Sequence, residues 1–316
     1  FPGESPLILS VIGSNREVGK SLVSTNLAIQ LAQAGMHVIL IDHELSSIQM
    51  QSLHEIDNAS HMKNPRNKLE SFLTEEGVPN LLMIPGSGFG LDFTQMNAGS
   101  KIKFFNQIKE ISSADIVILD LGGESTESSI DIFLMGHVGL IVTTPEAESI
   151  IGCYDFLKNA VYRTIYRMFK GQEILQNIVK EALSQIPSPS IPELAVVISQ
   201  HDPWMAENLL GVCSDFEFHI ILNKATSPES IQQAIKLYDI CKNRLSIEIN
   251  FAGMLFFDNK IPEQSLSTAP LSISNPESIT VKGINRIAAV TLNEILQHTI
   301  HNARNKSAME QLHEAE

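Results

Sequence analysis

The sequence predicts an α/β protein: a mostly parallel, twisted sheet with helices on both faces and a helical insertion. Three observations carry this. "PLILSVIG", a helix-compatible stretch and "MHVILID" follow one another within residues 6–42, the strand–helix–strand crossover that joins parallel neighbours. Further apolar runs are continuous rather than alternating, as strands covered on both faces are. Each run ends in polar or glycine residues, and helical patterns separate them.

In order, "PLILSVIG" reads as a buried first strand. From Lys20 to Ala34 the apolar residues Leu22, Leu27, Ile29 and Leu31 are dense and helix-compatible, and Gly35 supplies a stop. "MHVILID" is the second strand. "NLLMIPG", "ADIVILDLGG", "HVGLIVTTP" and "EFHIILNK" repeat the pattern, "INFAGMLFF" adds one more strand, and residues 276–300 make a closing helix. The rhythm breaks between Pro145 and Phe216, where about 70 residues stand in place of a short connection. This stretch reads as a helical insertion, about 156–215, within a single domain spanning 1–316. Inside it Arg163, Arg167 and Lys170 share a helix face opposite Leu157, Val161, Ile165 and Met168. That polar face reads either as a solvated surface or as a contact for a protein partner or lipid headgroup.

Composition narrows the function classes. With 43% hydrophobic and 18% charged residues the chain is globular. Its net charge of −14 gives no strong nucleic-acid signal, since binding there needs Lys and Arg to displace counterions. No apolar run approaches the ~18 residues of a membrane span, and "FPGESP" does not read as a signal peptide. Cys153, Cys213 and Cys241 lack any paired spacing and are expected as reduced, mostly buried thiols of a cytoplasmic protein.

The chemistry centres on "SNREVGKS", residues 14–21, between a strand and a helix. It ends like a phosphate-binding loop, but Ser14 occupies the first glycine position of GxxxxGK[ST], and Asn15, Arg16 and Glu17 precede the Gly-Lys-Ser. Backbone N–H groups at the helix start would hold phosphate oxygens, Lys20 would add a point charge, and the Ser21 hydroxyl would ligate Mg²⁺. "DIVILDLGG" delivers Asp120 to the carboxyl end of a strand, where open α/β sheets bind ligands. Asp120 reads as a holder of Mg²⁺-bound water, or else as a helix cap. Gly122 and Gly123 can approach a γ-phosphate.

In these motifs the chain resembles the MinD/ParA family of deviant P-loop ATPases, flagellar-number relatives included. The family shows a KGGVGKS-type loop, "NLA", "LIDxD", a "DyviiDl" strand, "VTTPEPTS" and an Asn-led base motif. Here stand "SNREVGKS", "NLA" at 26–28, "LIDHE" at 40–44, "DIVILDLGG", "VTTPEAES" and "LNK" at 222–224. "GMLFFDNKIPE" resembles the family's G-x-x-P-x-D stretch, with Phe256 in place of the proline.

The resemblance implies ATP and Mg²⁺ as cofactors and a nucleotide-dependent homodimer that positions or numbers a cellular structure. It assigns nucleotide contacts to Val18, Gly19, Lys20, Ser21, Leu22, Gly122, Gly123 and Asn223, and the metal to Ser21 and Asp120. Catalysis falls to Lys20, Asp42 and Glu44, the two carboxylates standing where the family has a pair of aspartates. Asn223 would read the adenine edge, though an Asn after a strand also reads as a turn residue. A protein partner is expected through the insertion, and peripheral membrane or pole location only through a partner, because "ARNKSAMEQLHEAE" lacks the family's basic amphipathic anchor.

The departures bear on rate. The family's signature lysine, which reaches the partner's phosphates, is Asn15 here; the adjacent Arg16 could substitute, although its longer side chain starts from a different backbone position. Arg16 and Glu17 replace two glycines, so the loop is expected to be less compact or to avoid positive φ. Slow hydrolysis is therefore the expectation, with a non-hydrolysing scaffold as the alternative.

Overall fold

Among the described residues, seven of the eight strands coincide with the continuous apolar runs. The computed structural model describes residues 5–42, 74–75, 77–85, 96–123, 125–171, 188–259 and 269–293, with a few positions between 173 and 180. The strands are β1 (Leu7–Gly13), β2 (Val38–Asp42), β3 (Thr74–Glu75), β4 (Leu81–Pro85), β5 (Ile116–Asp120), β6 (Val138–Thr143), β7 (Phe218–Ala225) and β8 (Ile249–Phe256). They form one sheet in the order β3-β4-β2-β5-β1-β6-β7-β8. Every neighbouring pair is parallel except β3 with β4. That two-residue edge strand is too short for any apolar pattern to announce it.

The strands are buried because both sheet faces are covered. Ile8, Ile12, Val117, Leu119 and Ile141 point into one core with Phe104, Phe133, Phe156 and Leu157. Their neighbours in sequence, Leu9, Val11, Ile116, Ile118 and Leu140, point into a second core with Leu27, Leu31, Ile284 and Ile287. Successive side chains of a strand alternate between faces, so each strand feeds both cores.

The helices are α1 (Lys20–Gln33), α2 (Ala98–Lys109), α3 (Glu127–Phe133), α4 (Ala147–Met168), α5 (Ile191–Ser199), α6 (Pro203–Ser214), α7 (Ile231–Leu245), α8 (Leu271–Ser274) and α9 at 279–293. α9 covers the described part of the expected closing helix; residues 294–316, including the C-terminal tail, lie outside the described residues. Among the described residues, no helix is long and apolar enough to cross a membrane. Cys153, Cys213 and Cys241 are buried free thiols. Burial pushes the Cys213 and Cys241 thiols up to about 12 and raises Cys153 as well, so all three stay protonated and inert at neutral pH.

The arginine face of α4 is only in part an exposed surface. Arg163 Nε donates to Asp131 Oδ1 at 2.8 Å, its Nη1 to Glu127 Oε2 at 2.7 Å, and Arg167 Nη2 lies 2.6 Å from Asp131 Oδ1. Lys101 Nζ of α2 completes the set at 2.6 Å from Asp131 Oδ2. Burial alone would raise the Asp131 carboxyl, but the Arg163 and Lys101 hydrogen bonds and the Arg167 charge outweigh it and hold it below its ordinary value. The face that reads in sequence as a surface is thus half an internal clamp joining α2, α3 and α4.

Candidate nucleotide site

The chain order reverses at β1: β5, β2 and β4 lie to one side, β6, β7 and β8 to the other. Residues 14–19 leave the carboxyl end of β1 at this switch point, the crevice where such sheets take ligands. Register brings the predicted carboxylates together, since Asp42 and Asp120 are partners on adjacent strands. They are 1% and 0% exposed. Glu44, the other predicted catalytic carboxylate, lies outside the described residues.

Lys20, 4% exposed, turns back into the site: its Nζ lies 3.1 Å from Ser21 Oγ and 3.5 Å from Asp120 Oδ1. The other oxygen of Asp120 accepts from Ser24 Oγ at 2.8 Å, one turn further along α1. A buried carboxylate is costly without hydrogen-bond and charge partners, and Ser24 and Lys20 supply them. Asp120 therefore caps no helix; it is the acceptor at the centre of the site. Two buried carboxylates and a hydroxyl beside a lysine form a hard-oxygen donor set that suits Mg²⁺.

The loop accommodates its missing glycines by keeping Asn15, Arg16 and Glu17 out of the positive-φ region. Gly19 alone within 14–21 is left-handed, at φ 84°, as the residue preceding α1. α1 has no side-chain cap on its first N–H groups, so an anion can take them. A Cβ at Gly19 would also stand 2.5 Å from Asn223 Nδ2. Gly19→Ala is thus expected to lower the unfolding free energy by about 1–3 kcal/mol, read as a shift of the urea midpoint.

Five hydrogen bonds staple the loop and its entry from β1 in place. Gly13 N donates to Gly122 O at 3.3 Å, and a Cβ at Gly123 would lie 2.8 Å from Arg16 Cα, so the Gly122-Gly123 turn packs directly on the loop backbone. Ser14 Oγ donates to Thr143 Oγ1 at 3.1 Å, which in turn donates to Ser149 O at 3.0 Å. Asn15 Nδ2 donates to Ser149 Oγ at 3.0 Å. Asn223 Nδ2 donates to Val18 O at 2.8 Å and Lys224 Nζ to Glu17 O at 2.7 Å. Asn223, 5% exposed, thus sits against the loop it was expected to serve from the base side. Val18 is buried, and Leu22 is partly buried against the second core. Ser149, Ser24, Thr143 and Lys224 are site residues that the motifs did not single out. The only sequence signal for Ser149 was its place at the end of "VTTPEAES".

This architecture is the MinD/ParA fold, with a P-loop that departs from the family's glycine-rich form. No protein-family model matches the chain. It is similar to MinD of Aquifex aeolicus, with TM-score 0.54 and 14% identity over 91% of this chain and 97% of that one. The ParA family ATPase of Chlorobium tepidum TLS gives 0.55 and 15% over 90% and 98%. MinD of Pyrococcus horikoshii OT3, complexed with Mg-ADP, gives 0.50 and 15% over 90% and 94%. In sequence, it is similar to the flagellum site-determining protein YlxH of Helicobacter pylori, 25% identical over 158 residues, or 48% of this chain and 52% of YlxH. It also resembles tyrosine-protein kinase ptk of Acinetobacter johnsonii, 28% identical over 117 residues, 36% of this chain and 16% of the kinase. The matched stretch therefore spans about half of the first relative and less of the second.

Proposed function

We propose that this chain is a MinD/ParA-like ATP-binding switch: a slow Mg²⁺-dependent ATPase that dimerises with nucleotide and acts in positioning or numbering a cellular structure. One observation carries the reading: Lys20, Ser21 and Asp120 converge at the uncapped start of α1, at the sheet's switch point. The Mg-ADP complex of the Pyrococcus relative and the named role of YlxH in flagellum siting support it.

In this reading Lys20 leaves Asp120 for the β- and γ-phosphates, and the loop N–H groups hold their oxygens. Ser21 and Asp120 would hold Mg²⁺, which would neutralise phosphate charge. Asp42 and Glu44 orient the attacking water. Position 15 itself supplies no trans-acting cation, because the Asn15 amide is turned to Ser149 of its own chain. Turnover is accordingly slow.

The test is isothermal titration with ATP and Mg²⁺. Lys20→Ala removes a charge-assisted phosphate contact of about 1.5–3 kcal/mol, so affinity is expected to fall roughly 10- to 150-fold. Equal affinity of variant and wild type would sink the phosphate-loop assignment. Binding without any turnover would favour the non-hydrolysing scaffold.

A further inference from the structure

The helical hairpin α5–α6 presents an outer face that its own fold does not explain. Its inner residues Ile191, Leu194, Ile198, Met205, Leu209 and Cys213 are buried in the main core, so the hairpin is anchored without its outer side. Yet Trp204, the chain's one tryptophan, is 68% exposed on that side. Burying a Trp supplies a large apolar contact area with an N–H left over for a partner, which is why it anchors interfaces.

Two more observations fall on the same stripe. At 3.6 residues per turn, positions 204, 207, 211 and 215 line one side of α6. Gly211 stands there in a helix, where glycine is roughly 1 kcal/mol worse than alanine. It has neither positive φ nor any atom within 4 Å of where a Cβ would be. Nothing within the described residues calls for a glycine; a body approaching closely from outside does.

Charge names the occupant. Residues 181–223 contain six Asp and Glu and no Lys or Arg. Asp202 caps α6 through Met205 N, and Glu193 closes the capping box of α5 with Ser190. Arg244, which reaches this region from α7, binds the Ser188 carbonyl at 2.6 Å. Exposed Glu207 and Asp215 do none of this; along the stripe Glu207 lies between Trp204 and Gly211, and Asp215 one turn beyond Gly211.

We propose that the outer face of α6 docks a basic helical segment of a partner protein, with an apolar side chain on Trp204, close backbone approach at Gly211, and Lys or Arg opposite Glu207 and Asp215. An anionic lipid surface would be repelled by the same carboxylates. The surface lies away from Lys20 and Asp120 in sequence and stands whether or not ATP is hydrolysed.

Trp204 reports its own test. The full chain is titrated with an 18-residue amphipathic Lys/Leu peptide, with its Glu/Leu counterpart and with phosphatidylglycerol vesicles, following tryptophan emission. A blue shift is expected with the Lys/Leu peptide alone. Glu207→Lys with Asp215→Lys should weaken binding at least tenfold, whereas the same charge change at Glu110 and Asp239 should weaken it less than threefold. Gly211→Leu should also weaken binding, read by calorimetry, while leaving the thermal midpoint equal or higher. The proposal is overturned by an unchanged Trp204 spectrum with the Lys/Leu peptide, by a shift with the vesicles or the Glu/Leu peptide, or by equal losses from the two charge reversals. Full affinity in Gly211→Leu would likewise overturn the close approach.

Discussion

Asp131→Ala is expected to destabilise the protein by about 3–5 kcal/mol, the range for breaking a buried ion pair from one side. That is a large share of the roughly 5–15 kcal/mol that holds a domain folded. The size follows from what the substitution strands. Lys101, whose side chain is 9% exposed, loses its Asp131 partner at 2.6 Å, and Arg163 and Arg167 lose theirs at 2.8 and 2.6 Å. Water can rescue Arg167, whose side chain is 45% exposed, far better than Lys101. Lys101→Met in the Asp131→Ala background should therefore recover stability, where Arg167→Met should recover little. Urea unfolding of the single and double variants reads both; a loss below about 1 kcal/mol would mean that the clamp is only an exposed-pair network.

The clamp also sets a pH dependence. The folded Asp131 carboxyl lies below its ordinary value of 3.8. Its contribution is present in full above that value and is lost as pH falls through the lower folded-state value. Wild type should thus lose stability more steeply than Asp131→Asn in acid, and the two curves should run parallel near neutrality.

Most of the fold was legible because burial on both faces writes itself into continuous apolar runs. "PLILSVIG", "MHVILID" and "DIVILDLGG" became β1, β2 and β5 with little shift at their ends. Thr74–Glu75 was not legible, since two residues carry no period. At the site, Lys20, Ser21 and Asp120, which their motifs single out in sequence, lie side by side. What holds the loop was not legible. Asn15–Ser149 and Asn223–Val18 are contacts across 134 and 205 residues, and no local pattern encodes a hydrogen bond between a loop and a distant helix start or strand. The α4 arginines misled for a related reason. An amphipathic face shows which side of a helix is polar, but whether that side meets water or Asp131 depends on tertiary packing.

Restoring the loop toward the family form, with Ser14→Gly, Asn15→Lys, Arg16→Gly and Glu17→Gly, is expected to raise ATP turnover far more than it changes affinity. A cation supplied in trans is worth roughly 10³–10⁵ in rate in phosphoryl transfer, about 4–7 kcal/mol. The substitutions break two staples, the Ser14–Thr143 and Asn15–Ser149 hydrogen bonds. Each contributes only about 0.5–1.5 kcal/mol. The Asn223 and Lys224 staples end on the backbone carbonyls of Val18 and Glu17, so they survive any side-chain change there. The loop should stay in place while position 15 is released from Ser149. Wild type is expected to bind ATP tightly and to turn over well below the ~1–100 s⁻¹ common for kinases. Single-turnover rates of both proteins at saturating ATP, across a range of protein concentrations, decide the matter, because a lysine acting on a partner's phosphate shows itself as a rate that climbs with dimer formation. Should wild type already hydrolyse quickly, and Arg16→Ala stop it, then Arg16 is the finger and Asn15 a staple with no bearing on rate.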